Sequence, residues 1–154
     1  DDDSANTEIY GNLYNWFAVD DDRGICPEGW HLATDEEYTA LKDYSGGESV
    51  AGGKMKECTD GSCPASQYWS SPNTGATNES GFTGLPGGYR NGNNGNFYYM
   101  GYYGYFWSFT EGSSSSAWYR LLYHGNSGIY RYDGNKGSGF SVRCVKDWTI
   151  ASSG

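Results

Sequence analysis

The segment from residue 64 to the end of the chain shows no helical periodicity, and this feature most limits the possible folds. Its first part is rich in turn-forming residues, including Pro72, Pro86 and several Asn-Gly steps. The 154 residues include 24 glycines and 18% aromatic residues, whereas aliphatic residues are few. This composition argues against a helical bundle and predicts one domain of short strands, turns and ordered loops.

Helical patterns occur only before residue 64. The strongest is a capping box, because Thr34 precedes an acidic first turn and Glu37 follows three residues later. The sequence therefore predicts a helix over "DEEYTALKDY" and a second, shorter helix over "ESVAGGKMKEC", despite the Gly-Gly pair in the latter. The side chains that recur at helical spacing, and that we expect to form a buried stripe, are Tyr38, Leu41 and either Ala40 or Tyr44.

Short strands are predicted by alternating or apolar runs that turn residues bound. We expect residues 9–19 to form a strand or the entrance to a hairpin, and residues 25–33 to form a turn and a short strand. The runs 117–123 and 128–132 flank "HGNS" and predict a hairpin. Residues 139–145 are expected to form a final strand that returns to the start of the domain.

The four cysteines favour two disulfide bonds. Cys58 and Cys63 bracket a polar turn, which suggests a small local loop and leaves Cys26 to pair with Cys144. The longer loop would contribute roughly 4–5 kcal/mol in a chain-entropy model. The alternative is a four-thiolate zinc site, which the uneven spacing and the lack of a CxxC motif disfavour. Two disulfides would imply an oxidising compartment and therefore an exported protein.

The charge is unevenly distributed along the chain. Residues 1–60 carry 15 acidic and 4 basic residues (4 − 15 = −11), and residues 61–154 carry 4 and 6 (6 − 4 = +2). The total of −9 disfavours phosphate backbones, so we expect no nucleic-acid partner. No apolar run approaches the length of a membrane span, so we expect no membrane insertion. The start "DDDSANTE" is typical of a mature or trimmed terminus.

Several long motifs carry a resemblance to a known family. The chain resembles the Fibrobacter succinogenes major paralogous domain, a family of exported bacterial proteins, in "YGNLYNWFAV", "ICPEGWHLATDEEYTALKDY", "AGGKMKE", "AWYRLLY" and "GFSVRCVKD". The resemblance implies an acidic extension at residues 1–8, a single domain at 9–147 and a tail or linker at 148–154.

Two of these motifs also resemble elements of the C-type lectin-like fold that formylglycine-generating enzymes share. They are "GWHLATDEEY" and the terminal "GFSVRCV". The resemblance implies an α+β fold in which two helices pack on a small twisted antiparallel sheet with long ordered loops. In receptor proteins of that fold the last third of the domain forms the binding face, which here is the part rich in Tyr, Asn, Ser and Gly.

No convergent set of catalytic groups can be assembled from the sequence. His31 is expected at a half-buried strand position and His124 at a surface turn, and the motifs GxSxG and HExxH are absent. The EPN, QPD and WND motifs of calcium-binding lectins are also absent, and we expect the acidic triplets at 1–3 and 20–22 to be solvated. We therefore predict a non-enzymatic protein without a cofactor or metal. We expect Arg120 and Arg131 to hold loops through backbone carbonyls rather than to bind ligand.

The tyrosines are the main indication of function. Ten of the fifteen lie between Tyr89 and Tyr132, among asparagines, serines and glycines, which is the composition that antibody binding sites use. Adjacent rings at 98–99 and at 102–103 cannot all point inward, so some must be displayed. The alternative is that the rings fill a core poor in Leu, Ile and Val, and we expect this of Phe97, Phe106, Trp107 and Trp118.

We therefore predict an extracellular or bacterial cell-surface domain that presents a tyrosine-rich face to a protein or a glycan. The alternative is a structural subunit of a surface or filamentous assembly that uses the same face for self-association. The predicted ligand-binding residues are Asn93, Asn96, Tyr98, Tyr99, Tyr102, Tyr103, Tyr105, Tyr123, His124, Asn126, Tyr130, Tyr132 and Asp133.

Overall fold

The computed structural model describes residues 3–59 and 61–148. The described part is a mixed α/β domain with four helices and seven short strands. The helices are α1 (Ser4–Tyr10), α2 (Trp16–Val19), α3 (Asp35–Tyr44) and α4 (Glu48–Met55). The strands are β1 (Trp30–Leu32), β2 (Tyr89–Arg90), β3 (Phe97–Tyr98), β4 (Tyr103–Glu111), β5 (Ser116–Tyr123), β6 (Ile129–Asn135) and β7 (Cys144–Lys146). Residues 1–2 of the predicted acidic extension and residues 149–154 of the predicted tail lie outside the described residues.

Helix α3 begins at the predicted capping box. The side chain of Thr34 accepts a hydrogen bond from the Glu37 amide, and the Glu37 carboxylate accepts one from the Thr34 amide. Of the predicted stripe, Tyr38 is buried and Leu41 packs against the core. The third position was predicted wrongly, because Ala40 and Tyr44 both face solvent. Helix α3 packs against α4 and against β4 and β5 of the sheet.

Helix α4 confirms the second predicted helix, and its Gly-Gly pair has a packing role. A Cβ atom on Gly52 would lie 1.9 Å from the carbonyl oxygen of Gly128, and one on Gly53 would lie 2.3 Å from that of Gly75. The amide of Gly53 also donates to the Ser127 carbonyl at 2.9 Å. The two glycines therefore let the helix backbone touch two loops directly.

The prediction for residues 9–19 was wrong, because this segment contains the end of α1 and all of α2. Asp3 caps α1 by accepting from the Ala5 amide, and Asn15 caps α2 by accepting from the Ala18 amide. Trp16 and Val19 lie three residues apart and enter the core together, which a strand could not achieve. The indole of Trp16 donates to the Ser108 carbonyl at 3.0 Å.

The strands form three small antiparallel sheets, namely β1–β7, β2–β3 and β4–β5–β6. The predicted hairpin is confirmed, since β5 pairs with β6 from Ser116↔Asn135 to Leu122↔Ile129. The predicted final strand is shorter than expected. Only β7 forms a regular ladder, whereas Phe140 and Ser141 make isolated bridges to Tyr14 and Phe106.

The two faces of the β4–β5–β6 sheet contact different surroundings. On one face Phe106, Leu122 and Ile129 pack with Tyr38 and Met55 from the helices. At one end of the other face, Trp107 and Ala117 are buried in a hydrophobic cluster that also contains Trp16, Val19, Leu32 and Phe140. The rest of that second face lies beyond this cluster and is occupied by tyrosines.

A buried carboxylate ties the sheet to α3. Asp35 accepts hydrogen bonds from Arg120 at 2.5 Å and from Arg131 at 2.9 Å, and Arg120 is itself buried. The expectation that both arginines donate to loop carbonyls was therefore wrong for Arg131. Arg120 also donates to a backbone carbonyl, that of Asp35 at 3.1 Å, but Asp35 is the first residue of α3 and not part of a loop. These two positions are in register on β5 and β6, so one carboxylate can bind both.

Both predicted disulfides are present, Cys26–Cys144 and Cys58–Cys63, and they replace the alternative of a four-thiolate zinc site. The first bond joins the segment before β1 to β7 and so supports the pairing of the two terminal strands. In the part of the chain that the structure describes, no helix is long and apolar enough to cross a bilayer.

Candidate functional site

A continuous group of tyrosine rings covers the open part of the sheet, and we call this surface the tyrosine platform. Each ring lies 4.7–6.4 Å, centroid to centroid, from another member of the group. Its members are Tyr89, Tyr98, Tyr99, Tyr103, Tyr105, Tyr119, Tyr123, Tyr130 and Tyr132. Such spacings are those of favourable aromatic pairs, so the rings support one another's orientation.

The platform results from strand alternation and register. Successive side chains of a strand point to opposite faces, so Tyr103 and Tyr105 of β4 emerge on the same side. The ladder places Tyr103 opposite Tyr123, and Tyr119 opposite Tyr132. At the neighbouring β2–β3 hairpin, Tyr89 lies opposite Tyr98, and the two rings stack at 5.5 Å.

The platform combines packed rings with displayed ones. Tyr99 and Tyr132, at its two ends, are 52% and 49% exposed, and Tyr98 is 36% exposed. The central rings are half-buried, and Tyr105 and Tyr119 rest on the buried Phe140 ring at 5.0 and 4.8 Å. The central rings therefore hold the surface rigid while the outer rings contact solvent.

The hydroxyl groups of the platform are suited to neutral hydrogen bonding. Burial raises the pKa of Tyr103, Tyr105 and Tyr119, so these groups keep their protons at neutral pH. Hydrogen bonds from Asn96 and Asn94 lower the pKa of Tyr98. Within residues 3–59 and 61–148, the other platform hydroxyls form no hydrogen bond, which leaves them free to pair with a ligand.

Most of the residues predicted to bind ligand come together here, but not all. Seven of the eight predicted tyrosines belong to the platform. Tyr102 lies outside it and packs edge-on against His124 at 5.1 Å, and His124 in turn contacts the Tyr123 ring at 4.6 Å. These two residues therefore extend one end of the platform. Asn93 and Asn96 lie exposed in the loop between β2 and β3, beside Tyr98.

Two predicted site residues lie apart from the platform. Asp133 follows Tyr132 along β6 and is in register with Trp118, so it faces the opposite side of the sheet. Asn126 has a structural role, because its side chain accepts from the Gly128 amide and its carbonyl accepts from the buried Lys56 ammonium. The structure therefore does not place either residue within the group of contacting rings.

Lys56 holds the loops at that end of the sheet. Its ammonium donates to the carbonyls of Thr74, Tyr123 and Asn126 at 2.8–3.0 Å. Burial lowers the pKa of Lys56 to about 8, so the ammonium is protonated at neutral pH. The lysine thus fixes the backbone at the end of β5 where the platform ends.

Sequence reasoning missed Tyr89 and Tyr119, although both are central. Tyr119 could have been found, because it shares a strand face with Tyr123 in "AWYRLLY". Tyr89 could not, since only the β2–β3 pairing places it beside Tyr98. Phe97 was expected in the core but is 43% exposed, because β3 is a short, solvent-facing strand.

The acidic, histidine and cysteine side chains of the described residues do not gather into a metal-binding cluster. In residues 3–59 and 61–148 no group of three or more His, Cys, Asp and Glu side chains could hold a metal ion. His31 lies between two carboxylates, those of Asp147 at 2.6 Å and Glu37 at 2.7 Å, whose hydrogen bonds raise its pKa. This contact joins β1 to α3 and to the residue after β7.

Comparison with known proteins gives a family but no close relative. No curated protein and no solved structure matches the chain significantly, so the C-type lectin-like fold stays a prediction. The profile of the Fibrobacter succinogenes major domain matches residues 1–146, which include every described helix and strand. The chain therefore belongs to the Fibrobacter succinogenes major domain family.

Proposed function

We propose that this chain is a non-enzymatic recognition domain that presents the tyrosine platform to a protein or a glycan outside the cell or on its surface. The observation that carries this proposal is the extent of the platform, a continuous chain of nine tyrosine rings that spans one face of the β4–β5–β6 sheet and the neighbouring β2–β3 hairpin. Large rings with few rotatable bonds give contact area at a low cost in conformational entropy. Flanking asparagines on the β2–β3 loop supply adaptable hydrogen bonds.

We also propose that the domain has a C-type lectin-like fold and is exported from the cell. Pairing of the terminal strands β1 and β7, locked by Cys26–Cys144, supports a C-type lectin-like architecture. So do the contact between α3 and α4 and the long loop region that precedes β4. Two disulfides are typical of oxidising compartments, which supports export.

The test is a calorimetric titration of the purified chain against plant and bacterial polysaccharides. The double variant Tyr99→Ala, Tyr132→Ala removes the two most exposed platform rings and should weaken binding at least about tenfold. Tyr44→Ala is the matched control, because this ring is 90% exposed on α3, away from the platform. Both variants must melt like the parent. If no polysaccharide in the panel binds, or if both variants lose binding equally, a glycan is not the ligand of the platform, and a protein partner remains to be tested.

A second candidate is self-association in a surface assembly, and the position of β6 favours it. β6 pairs with β5 on one side, and no other described strand pairs with its second side. Such an edge can accept a strand from another copy, next to the exposed ring of Tyr132. Sedimentation velocity over a range of concentrations tests this idea. A monomer at all concentrations, in both the parent and Tyr132→Ala, would reject it.

A further inference from the structure

A cleft of about 380 Å³ lies between α1 and the β2–β3 hairpin, beside the platform. Small-molecule sites in proteins are clefts of this order of size. Helix α1 forms one wall, and the hairpin with its aromatic side chains forms the other. The lining residues that matter here are Asp3, Asn6, Asn12, Arg90, Tyr98 and Tyr99.

The polar groups of this cleft are not used by the fold. Among the described residues, the guanidinium of Arg90 and the side-chain amides of Asn6 and Asn12 make no hydrogen bond or ion pair. The Asp3 carboxylate accepts from the Ala5 amide through Oδ1 at 2.9 Å, which leaves Oδ2 available. Donors and acceptors therefore converge on the cleft without an internal partner.

The position of Arg90 is set by its backbone rather than by its charge. Its amide donates to the Gly139 carbonyl at 2.9 Å, and its own carbonyl accepts from the Gly139 amide at 2.8 Å. The guanidinium lies 6.0 Å from the centre of the Phe97 ring, in the wall of the cleft. The bridge to Gly139 thus anchors the backbone of Arg90 beside the cleft, and the guanidinium lines the cleft without a hydrogen-bond partner among the described residues.

The charges of the cleft select against ions. Among the described residues that line it, Asp3 supplies the one carboxylate and Arg90 the one guanidinium, and these two form no ion pair with each other. The Asp3 carboxylate would repel a bound anion, and the Arg90 guanidinium would repel a bound cation. A neutral ligand with several hydroxyl groups can instead donate to the carboxylate and accept from the guanidinium at once.

The aromatic wall specifies the shape of the ligand. Tyr98 and Tyr99 line the cleft and are 36% and 52% exposed, and a flat ring with polarised C–H groups packs well on aromatic rings. A pyranose sugar has this combination, with C–H groups on its faces and hydroxyls around its rim. Both tyrosines also belong to the platform, so the cleft is continuous with it.

We propose that this cleft binds one neutral pyranose residue, which stacks on Tyr98 and Tyr99 while Asp3, Arg90 and the two asparagines bind its hydroxyls. The inference rests on the proposed recognition function and makes a glycan the ligand of this face. The sugar in the cleft is the end or branch of a chain that continues across the platform.

The experiment is a titration of the ¹⁵N-labelled chain by NMR with three free neutral sugars, glucose, galactose and mannose. Glucuronate and glucosamine serve as charged analogues of glucose, at about pH 6, where an amine of this kind is protonated. At least one neutral sugar should shift the amides of Asn12 and Arg90. If glucose binds, glucuronate and glucosamine should each bind at least about tenfold more weakly than glucose. If galactose or mannose binds, the same two charged analogues should bind at least about tenfold more weakly than that sugar.

Matched variants separate the cleft from the platform. Arg90→Met and Asn12→Ala should weaken binding of the free sugar at least about tenfold. Arg23→Met removes the same charge from an exposed loop and should have no effect, because Arg23 does not line the cleft. Tyr44→Ala should also leave the free sugar bound, since this exposed ring lies on α3, away from both the cleft and the platform.

The possible results distinguish this inference from the proposed function. Polysaccharide binding that needs Tyr132 but is unchanged in Arg90→Met would overturn the cleft inference and leave the recognition function standing. Preference for glucuronate or glucosamine over glucose would overturn the neutral-ligand argument. An absence of shifts with every sugar, together with a flat polysaccharide panel, would reject both.

Discussion

Replacing Gly52 with alanine should reverse the usual effect of a glycine-to-alanine change in a helix. At an exposed helical position this substitution stabilises a protein by about 1 kcal/mol, because alanine has the higher helix propensity. Gly52 is buried in α4, however, and an added Cβ would lie 1.9 Å from the Gly128 oxygen and 2.4 Å from its carbonyl carbon. Both obstructing atoms belong to the backbone, so no side chain can rotate away.

The expected magnitude follows from these contacts. Cβ atoms essentially never approach heavy atoms within 3.0 Å, so α4 or the loop before β6 would have to move by about 1 Å. Overpacking of this kind costs about 1–3 kcal/mol or more, and a backbone obstacle places the cost at the upper end. After subtraction of the propensity gain, we expect a net loss of about 2 kcal/mol or more. For a domain of this size that lowers the melting temperature by roughly 4–8 °C.

The assay is equilibrium denaturation with both disulfides intact. Val50→Ala is the matched control, because Val50 lies in the same helix and is 41% exposed. That change should be neutral or slightly stabilising, since alanine is the better helix former. If Gly52→Ala is as stable as the parent, α4 does not touch the β5–β6 loop and the reasoning is refuted.

Three further changes test other contacts. Tyr38→Phe removes a buried hydroxyl without a partner among the described residues, so unfolding should be unchanged or about 1 kcal/mol less favourable; a loss of stability in thermal melts would contradict this. The raised pKa of His31 means that its contribution is present below about pH 6.5 and is lost as pH rises through the folded-state value. The melting advantage of the parent over His31→Gln should therefore shrink from about pH 6 to pH 9, and a constant difference would argue against the contact with Asp147 and Glu37. Asp35→Ala leaves a buried arginine unpaired and should cost about 3–5 kcal/mol in denaturant titrations, whereas a loss below about 1 kcal/mol would show that water replaces the carboxylate.

The candidate site follows from the sequence only in part. The concentration of tyrosines between residues 89 and 132 is enough to predict a recognition surface in this part of the chain. It does not indicate which rings share a face across different strands. Tyr89 and Tyr98 meet through strand pairing, and Arg90 lines a cleft whose opposite wall is α1. None of these contacts can be predicted from the spacing of residues along the chain.

The sequence alone determined the features that depend on neighbouring residues. The capping box of α3, the β5–β6 hairpin and the small disulfide loop each rest on groups within a few positions of one another. Tertiary structure decided the helical form of residues 16–19, where burial of Trp16 and Val19 outweighs a strand-like pattern. It also decided the contact of Asp35 with two arginines and the assembly of the platform. These contacts join residues far apart in the chain, and their formation depends on strand register and helix packing, which no local pattern encodes.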